Sequence, residues 1–317
     1  MTSKEIPIFF ATDDNYAAFL AVALKSILDN ASKDYFYKIH VLNTGLTLKN
    51  KTYIKEVLTE NASLSFVNVK EELDKISSML HLRDYYSKAT YYRFFIAKLF
   101  PQYTKVLYLD CDIIVKGDIS ELYNTDISDK MLAGVTEEVM PMAQSLTEYA
   151  EKVLGVPVNN YFNAGILLIN VEKFREYDVL GQFLNLVGKY KFRVAQDQDY
   201  LNIICKDKVR YLDYAWNKTP VPMEGFDPAS VKIAHFKINW KPWHYDNILY
   251  GDVFWEYTKK TSCYPEVKAI LDNYSDFQKK QDSIAYDNLV KLAADEVNDT
   301  SRYYHAQEDN AVYYAAM

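Results

Sequence analysis

Only three cysteines occur in the 317 residues, Cys111, Cys205 and Cys263. Odd in number and far apart, they exclude a disulfide framework and speak against a zinc site. Basic blocks are also missing. The formal net charge is −7, and a mildly acidic chain is a poor fit to non-specific nucleic-acid binding. No window reaches the roughly 20 consecutive apolar residues of a membrane span. The start, Met1-Thr2-Ser3-Lys4-Glu5-Ile6-Pro7, leads into a strand without a long apolar segment, so no secretory signal is expected. These absences predict a cytoplasmic protein with no transmembrane segment and no nucleic-acid partner.

What is present is material for a sizeable core. A hydrophobic content of 49% over this length suits one large domain, or a domain with an appendage. The 28 tyrosines suit a surface that stacks on sugar rings and hydrogen-bonds their hydroxyls. Half-exposed core positions and codon bias account for them too.

Ile6 to Ala11 reads as a strand, Tyr16 to Leu28 as a helix, Tyr37 to Asn43 as a strand, Thr47 to Thr59 as a helix and Ser63 to Val69 as a strand. This alternation predicts a parallel sheet with right-handed crossovers, whose ligands bind at the carboxyl ends of the strands. Further on, Tyr85 to Leu99 reads as a helix stopped by Pro101, and Met131 to Val135 as a strand. Glu137 to Leu154 reads as mostly helical and mobile, Val171 to Tyr190 as helical, and Gln196 to Ile204 as a helix. Val209 to Leu212 and Val231 to His235 read as strands. After about Tyr250 the texture becomes polar and charge-mixed, with helical runs over Pro265 to Phe277 and Ile284 to Val297. The expected organisation is a domain over residues 1–250 and a helical C-terminal region over 251–317.

The most informative stretch is Lys105-Val106-Leu107-Tyr108-Leu109-Asp110-Cys111-Asp112. An apolar strand ends here on two carboxylates one residue apart. Positions i and i+2 share one face of a strand, but two like charges held together at a buried strand end are costly. A divalent cation offsets that cost and leaves its coordination shell open to phosphate oxygens. Side chains two apart on a regular strand stand about 6–7 Å from each other, so both carboxylates converge on one point only if the chain turns there. Cys111 reads as a small spacer. A second polar strand end is Ile233-Ala234-His235-Phe236, followed by Lys241-Pro242-Trp243. Two Asp and a His leave about three positions on an octahedral ion, and the imidazole favours manganese over magnesium. Lys241 could reach the same phosphates. Each residue also has a plainer reading: His235 as a core histidine, Arg93 as a surface residue of an amphipathic helix, and the carboxylates of Gln196-Asp197-Gln198-Asp199 as partners of a helix dipole.

Taken together, five segments resemble the family 8 glycosyltransferases, the retaining enzymes that include bacterial lipooligosaccharide galactosyltransferases and glycogenin. They are Ala11 to Ala17 (A-T-D-D-N-Y-A), Tyr108 to Asp112 (Y-L-D-C-D), Tyr161 to Gly165 (Y-F-N-A-G), Gln196 to Asn202 (Q-D-Q-D-Y-L-N) and His235 to Trp243 (H-F-x4-K-P-W). The resemblance implies a GT-A, Rossmann-like α/β fold with a mixed, mostly parallel sheet. It implies a UDP-sugar donor, UDP-glucose or UDP-galactose, and a manganese ion, with magnesium as the substitute. Asp110, Asp112 and His235 look like metal ligands. Ala11, Asp13 and Asn15 look like uridine contacts, and Lys241 like a diphosphate ligand. Arg93, Asn163, Ala164, Asp197 and Gln198 look like donor-sugar contacts, with Gln198 and Asp197 nearest the chemistry. The family usually has Gly three residues after the His, where this chain has Ile238. A β-branched residue resists φ > 0, so a re-routed loop or an altered diphosphate contact is expected.

The implied reaction breaks the anomeric bond, leaving negative charge on UDP and positive charge on the sugar. Front-face attack, with the departing phosphate taking the acceptor's proton, is preferred to a double displacement, which needs a carboxylate under the anomeric carbon. An aspartyl-phosphate phosphatase also places D-x-D after a strand, but three strand–helix units precede the motif here. A sugar-nucleotide-binding scaffold, or a primer glycosylated on its own Tyr303, Tyr304, Tyr313 or Tyr314, is the non-catalytic alternative. The C-terminal region carries more acidic than basic residues, so a lipid anchor is not evident and a carbohydrate or protein-borne acceptor gains weight.

Overall fold

Period-two alternation distributes the strand residues over two faces, both of them buried. Ile8, Phe10, Leu107, Leu109, Ile166 and Leu168 belong to one core cluster; Phe9, Val106, Tyr108, Leu167 and Ile169 belong to the other. A sheet covered on both sides needs near-continuous apolar runs, and these strands have them. The computed structural model describes residues 4–80 and 87–306. The strands among these residues are β1 (Lys4–Ala11), β2 (Tyr35–Asn43), β3 (Ala62–Asn68), β4 (Lys105–Leu109), β5 (Ile113–Val115), β6 (Leu132–Gly134), β7 (Ile166–Asn170), β8 (Val209–Tyr211) and β9 (Ile233–His235). One sheet has the order β3-β2-β1-β4-β7-β6-β8. Its strands pair in parallel except at β7, which runs antiparallel to both β4 and β6. The mixed, mostly parallel sheet expected from the sequence is present.

Helix α1 (Ala17–Asp29) is buried along most of its length against the face carrying Ile8 and Phe10. Helix α2 (Leu48–Glu56) is capped by the Thr47 side chain, which accepts from Asn50 N. Such a cap satisfies a backbone donor that would otherwise be orphaned.

Several elements differ from expectation for identifiable reasons. The described part of the helix expected over Tyr85 to Leu99 is a 3-10 segment, Lys88–Phe95, and then a short α-helix, Ile96–Leu99; Tyr85 and Tyr86 lie outside the described residues. The helix expected over Val171 to Tyr190 is broken into Val171–Glu176 and Val179–Lys189. Asp178 takes φ +43° at the break, and its side chain accepts from Gly181 N. The stretch expected to be mobile before Gly155 contains the helix Gln144–Glu148 and a π-turn, Tyr149–Val153. Its Leu146, Tyr149 and Val153 are fully buried, because the C-terminal helix Asp276–Asn298 packs on them. Tyr303 and Tyr304 belong to a packed segment: Tyr303 Oη donates to Val297 O, and Tyr304 N donates to Val153 O. Tyr313 and Tyr314 lie outside the described residues.

Candidate active site

The site forms where β1 and β4 end. Because β7 is antiparallel, it is the segment leading into it, Asn163-Ala164-Gly165, that reaches the same edge. At the end of β4 the chain turns over Asp110-Cys111-Asp112 and leaves the main sheet. It continues as β5, which pairs only with β9, placing Ile113 opposite His235. The turn anticipated from the two carboxylates is therefore the point where the strand changes sheets. Asp110 N donates to Gly165 O at 2.7 Å, locking the turn to β7. Cys111 is buried, and its thiol donates to Ala11 O.

Asp110, Asp112 and His235 each bring one ligand atom within 4.8 Å of the others. His235 Nε2 lies 3.2 Å from Asp112 Oδ1 and 3.8 Å from Asp110 Oδ2. Its other nitrogen, Nδ1, is 2.9 Å from Asn217 Oδ1. The Asn217 amide nitrogen in turn donates to Asn163 Oδ1 at 2.8 Å, so the amide oxygen faces the imidazole and takes the Nδ1 proton. Nε2 then keeps its lone pair toward the two carboxylates. Gly165 makes the convergence possible: a Cβ there would collide with the His235 ring and with Asp110 Oδ2. Two carboxylates and an oriented imidazole around a space kept open by glycine fit a divalent cation of the manganese type.

Cations already surround this acidic pair. Lys241 Nζ donates to Asp112 Oδ2 and to Phe236 O, both at 2.5 Å, and the residue is only 3% exposed. Burial alone would raise the Asp112 carboxyl, but Lys241 and His235 outweigh it and hold it well below the usual carboxylate range. Arg93, read alone as a surface residue, is buried. Its guanidinium donates to Asp110 Oδ1 at 3.1 Å and to Ala164 O, and its Nε lies 3.1 Å from Asp197 Oδ2. It therefore ties the D-x-D turn to the Q-D-Q-D segment. The 3-10 geometry serves this link: residues three apart eclipse, so Thr90 and Arg93 both face Asp197, with the Thr90 hydroxyl donating to Asp197 Oδ1. Burial pushes Asp197 up to about 6, with Arg93 opposing.

Gln198 is held on its oxygen side. Oε1 accepts from Ala164 N at 2.9 Å and from Asn163 Nδ2 at 3.1 Å. Asp199, below the pocket, accepts from Tyr161 Oη at 2.6 Å, Tyr149 Oη at 2.9 Å and Ala195 N at 2.8 Å.

A single pocket of about 180 Å³ is lined by Ala11, Asp13, Arg93, Asp110, Asp112, Asn163, Ala164, Asp197, Gln198, His235 and Lys241. Asn15 is exposed and does not line it. Asp13 has one carboxylate oxygen engaged, accepting from Asn15 N at 3.0 Å and Tyr16 N at 3.2 Å as the chain enters α1. Ile238 corrects an expectation. It adopts φ +52°, so the loop keeps the left-handed turn that a glycine would favour, and the Ile side chain joins the pocket lining.

Three residues were missed from the sequence. Glu137 lines the pocket, pairs with Lys237 at 2.7 Å and accepts from Asn163 Nδ2 at 2.5 Å. It stands just past β6, the same acid-after-strand signal that marked Asp110. Asn217 and Thr90 carry no local signal; only their contacts disclose them.

A sequence model described as Glycosyl transferase family 8 matches residues 7–247. The chain is 33% identical over 219 residues to a putative glycosyltransferase of Haemophilus influenzae, an alignment covering 69% of this chain and 64% of that protein. Among solved structures, the WbbM bifunctional glycosyltransferase superposes with TM-score 0.73 at 27% identity, covering 85% of this chain and 52% of that one. The galactosyltransferase LgtC, in complex with donor and acceptor sugar analogs, superposes with TM-score 0.67 at 28% identity, covering 81% and 96%. The chain thus spans less than two thirds of the Haemophilus relative and of WbbM.

Proposed function

The chain belongs to glycosyl transferase family 8 and has the GT-A fold, and from that premise we propose that it transfers glucose or galactose from a UDP-sugar with retention of configuration. The observation that carries the reading is the convergence of Asp110, Asp112 and His235 in the pocket lined by Asn163, Asp197, Gln198 and Lys241. Asp110, Asp112 and His235 are the residues that would hold a manganese ion, with magnesium as the substitute. When bound, such an ion supplies Lewis-acid stabilisation to a departing diphosphate.

The chain's own residues do the rest. Lys241 Nζ sits beside Asp112 and donates to the leaving phosphate, stabilising charge as it develops. Arg93 neutralises Asp110 and Asp197, which keeps two carboxylates tolerable next to an anionic donor. Asn163 and Asp197 orient the sugar hydroxyls, and Gln198 lies beside the anomeric carbon. Uridine rests against Ala11 and Asp13, with Asn15 at the rim. Ion pairing supports front-face attack over double displacement: Asp197 is engaged by Thr90 and Arg93, and Glu137 by Lys237 and Asn163. Neither is a free nucleophile, so the departing phosphate takes the acceptor's proton.

The acceptor in this proposal is a carbohydrate or a protein-borne group. Residues 1–250 carry the donor site, and the described residues beyond them, 251–306, form a helical appendage. Among the described residues no helix is long and apolar enough to cross a membrane. A cytoplasmic setting is part of the proposal, supported by three buried, unpaired thiols. The test is turnover of UDP-glucose against UDP-galactose with manganese, with the anomeric coupling constant of the product read by NMR. An α-linked product supports the reading, and a β-linked one overturns it.

A further inference from the structure

Helix Asp276–Asn298 lies beyond the family match, which ends at residue 247, yet it meets the site at two points. Leu289, from its middle, lines the pocket. Asp282, near its start, reaches the loop that follows His235. Asp282 Oδ2 accepts from Tyr245 Oη at 2.9 Å and Tyr274 Oη at 2.8 Å, and lies 3.6 Å from His244 Nδ1. Its backbone carbonyl accepts from Asn239 Nδ2. Three residues of one loop, Asn239, His244 and Tyr245, therefore converge on one residue of the C-terminal helix.

Lys241 sits inside that loop. Its N–H donates to Asn239 O at 2.9 Å, and its carbonyl accepts from His244 N at 3.0 Å and Tyr245 N at 3.1 Å. The loop thus holds Lys241 Nζ on Asp112 at its inner side and is fastened to Asp282 at its outer side. Tyr274 also stacks on His244, with ring centroids 3.9 Å apart. The far end of the helix is fixed independently: the Glu296 carboxylate, 2% exposed, pairs with Arg193 and Arg302. A helix secured at both ends gives Asp282 a rigid base.

We propose that Asp282 is a positioning residue for donor binding, fixing the Lys241 loop so that the ammonium meets the terminal phosphate of a nucleoside diphosphate. The inference rests on the UDP-sugar reading above. Ordering a loop and a long side chain costs conformational entropy. If Asp282 meets that cost in the free protein, the ligand does not. Losing Asp282 transfers the cost to binding of the phosphate that Lys241 contacts. The uridine end, at β1, does not depend on this loop.

The experiment is calorimetry on the full chain with UDP and with UMP, both with manganese. The variants are Asp282→Asn, Asp282→Ala, Lys241→Met and Asp282→Asn combined with Lys241→Met. Asp282→Asn keeps the side chain's volume, so it carries the test if the Ala variant fails to fold. The expected result is a loss of UDP affinity of about tenfold with UMP affinity within about twofold of wild type. In the Lys241→Met background, Asp282→Asn should cause no further loss, because the residue acts through Lys241. Equal weakening of UDP and UMP, full additivity with Lys241→Met, or unchanged UDP affinity would each overturn the positioning role while leaving the donor reading intact. If wild type binds neither nucleotide, the donor reading fails and takes this inference with it.

Discussion

At the scale of single residues, the site is a balance of buried charge. Asp112→Asn should abolish metal-dependent UDP binding, because it removes one ligand charge and leaves Lys241 buried without its counter-ion. It should also cost roughly 3–5 kcal/mol of stability, the penalty for breaking a buried pair. Calorimetry showing unchanged, metal-independent UDP affinity would sink the metal assignment. His235 is 3% exposed, not partly solvated as a ligand at an open strand end would be. His235→Ala therefore opens a cavity and strands Asn217 Oδ1, so stability alone does not report on its role. The telling measurement is whether manganese raises the melting temperature of wild type but not of the variant. In the proposed reading Gln198→Ala should lower kcat far more than it raises donor KM, since an amide placed beside the anomeric carbon would matter most as positive charge develops there. It also leaves the buried Ala164 N–H unpaired, at about 1–3 kcal/mol. A rise in KM with kcat unchanged would reassign Gln198 to ground-state binding. Asp199 gives the pH dependence. Burial pushes its carboxyl up from 3.8 to about 6, with three hydrogen-bond donors opposing. Between those values the folded chain holds a proton that the unfolded chain has lost, so this group's contribution to stability falls as pH rises through that window. Asp199→Asn should remove that slope, and the variant should gain on wild type by up to about 3 kcal/mol between pH ~4 and ~7. Urea titrations at both pH values measure it; a constant difference would mean that Asp199 titrates in the ordinary range.

At the scale of elements, the loop after β9 decides how His235 and Lys241 sit relative to one another. Ile238 at φ +52° carries roughly 1–2 kcal/mol of backbone strain. Ile238→Gly relieves that strain but loses the packing of a partly buried side chain and adds chain entropy to the unfolded state. The terms oppose, so thermal unfolding should place the variant within about 1–2 kcal/mol of wild type. A loss as large as that of a core truncation, about 3–5 kcal/mol, would show that Ile238 is a core residue and not a tolerated strained one. The elements that the sequence identified best are the long apolar strands β1, β2 and β4, where periodicity and turn residues agree. The 3-10 turn that aligns Thr90 with Arg93, and the break at Asp178, were not legible. Both depend on contacts with residues far along the chain, and an aromatic, amphipathic run reads as α-helix until those contacts are known.

At the scale of the whole molecule, the C-terminal helices complete both cores. Phe254, Cys263 and Val267 belong to the cluster under α1, and Leu289 and Ala293 to the one behind the site. A chain ending at residue 250 would expose both clusters. It should lose its near-ultraviolet circular dichroism and bind hydrophobic dyes, as a loosely packed state does. A truncated chain that melts cooperatively and binds UDP with wild-type affinity would show that the appendage is dispensable.

The sequence by itself determined the family, the strand–helix order and the pocket residues that carry recognisable chemistry: Asp110, Asp112, Asn163, Asp197, Gln198, His235 and Lys241. Strand periodicity and acid-ended apolar runs are local, and local patterns survive in a string of letters. Only the tertiary structure decided that Arg93 is buried between two aspartates, that Asn217 orients His235, that Glu137 is neutralised by Lys237, and that Asp282 fastens the Lys241 loop. Each of these is a pairing between segments distant in sequence, and its partner is fixed by the packing of the whole chain.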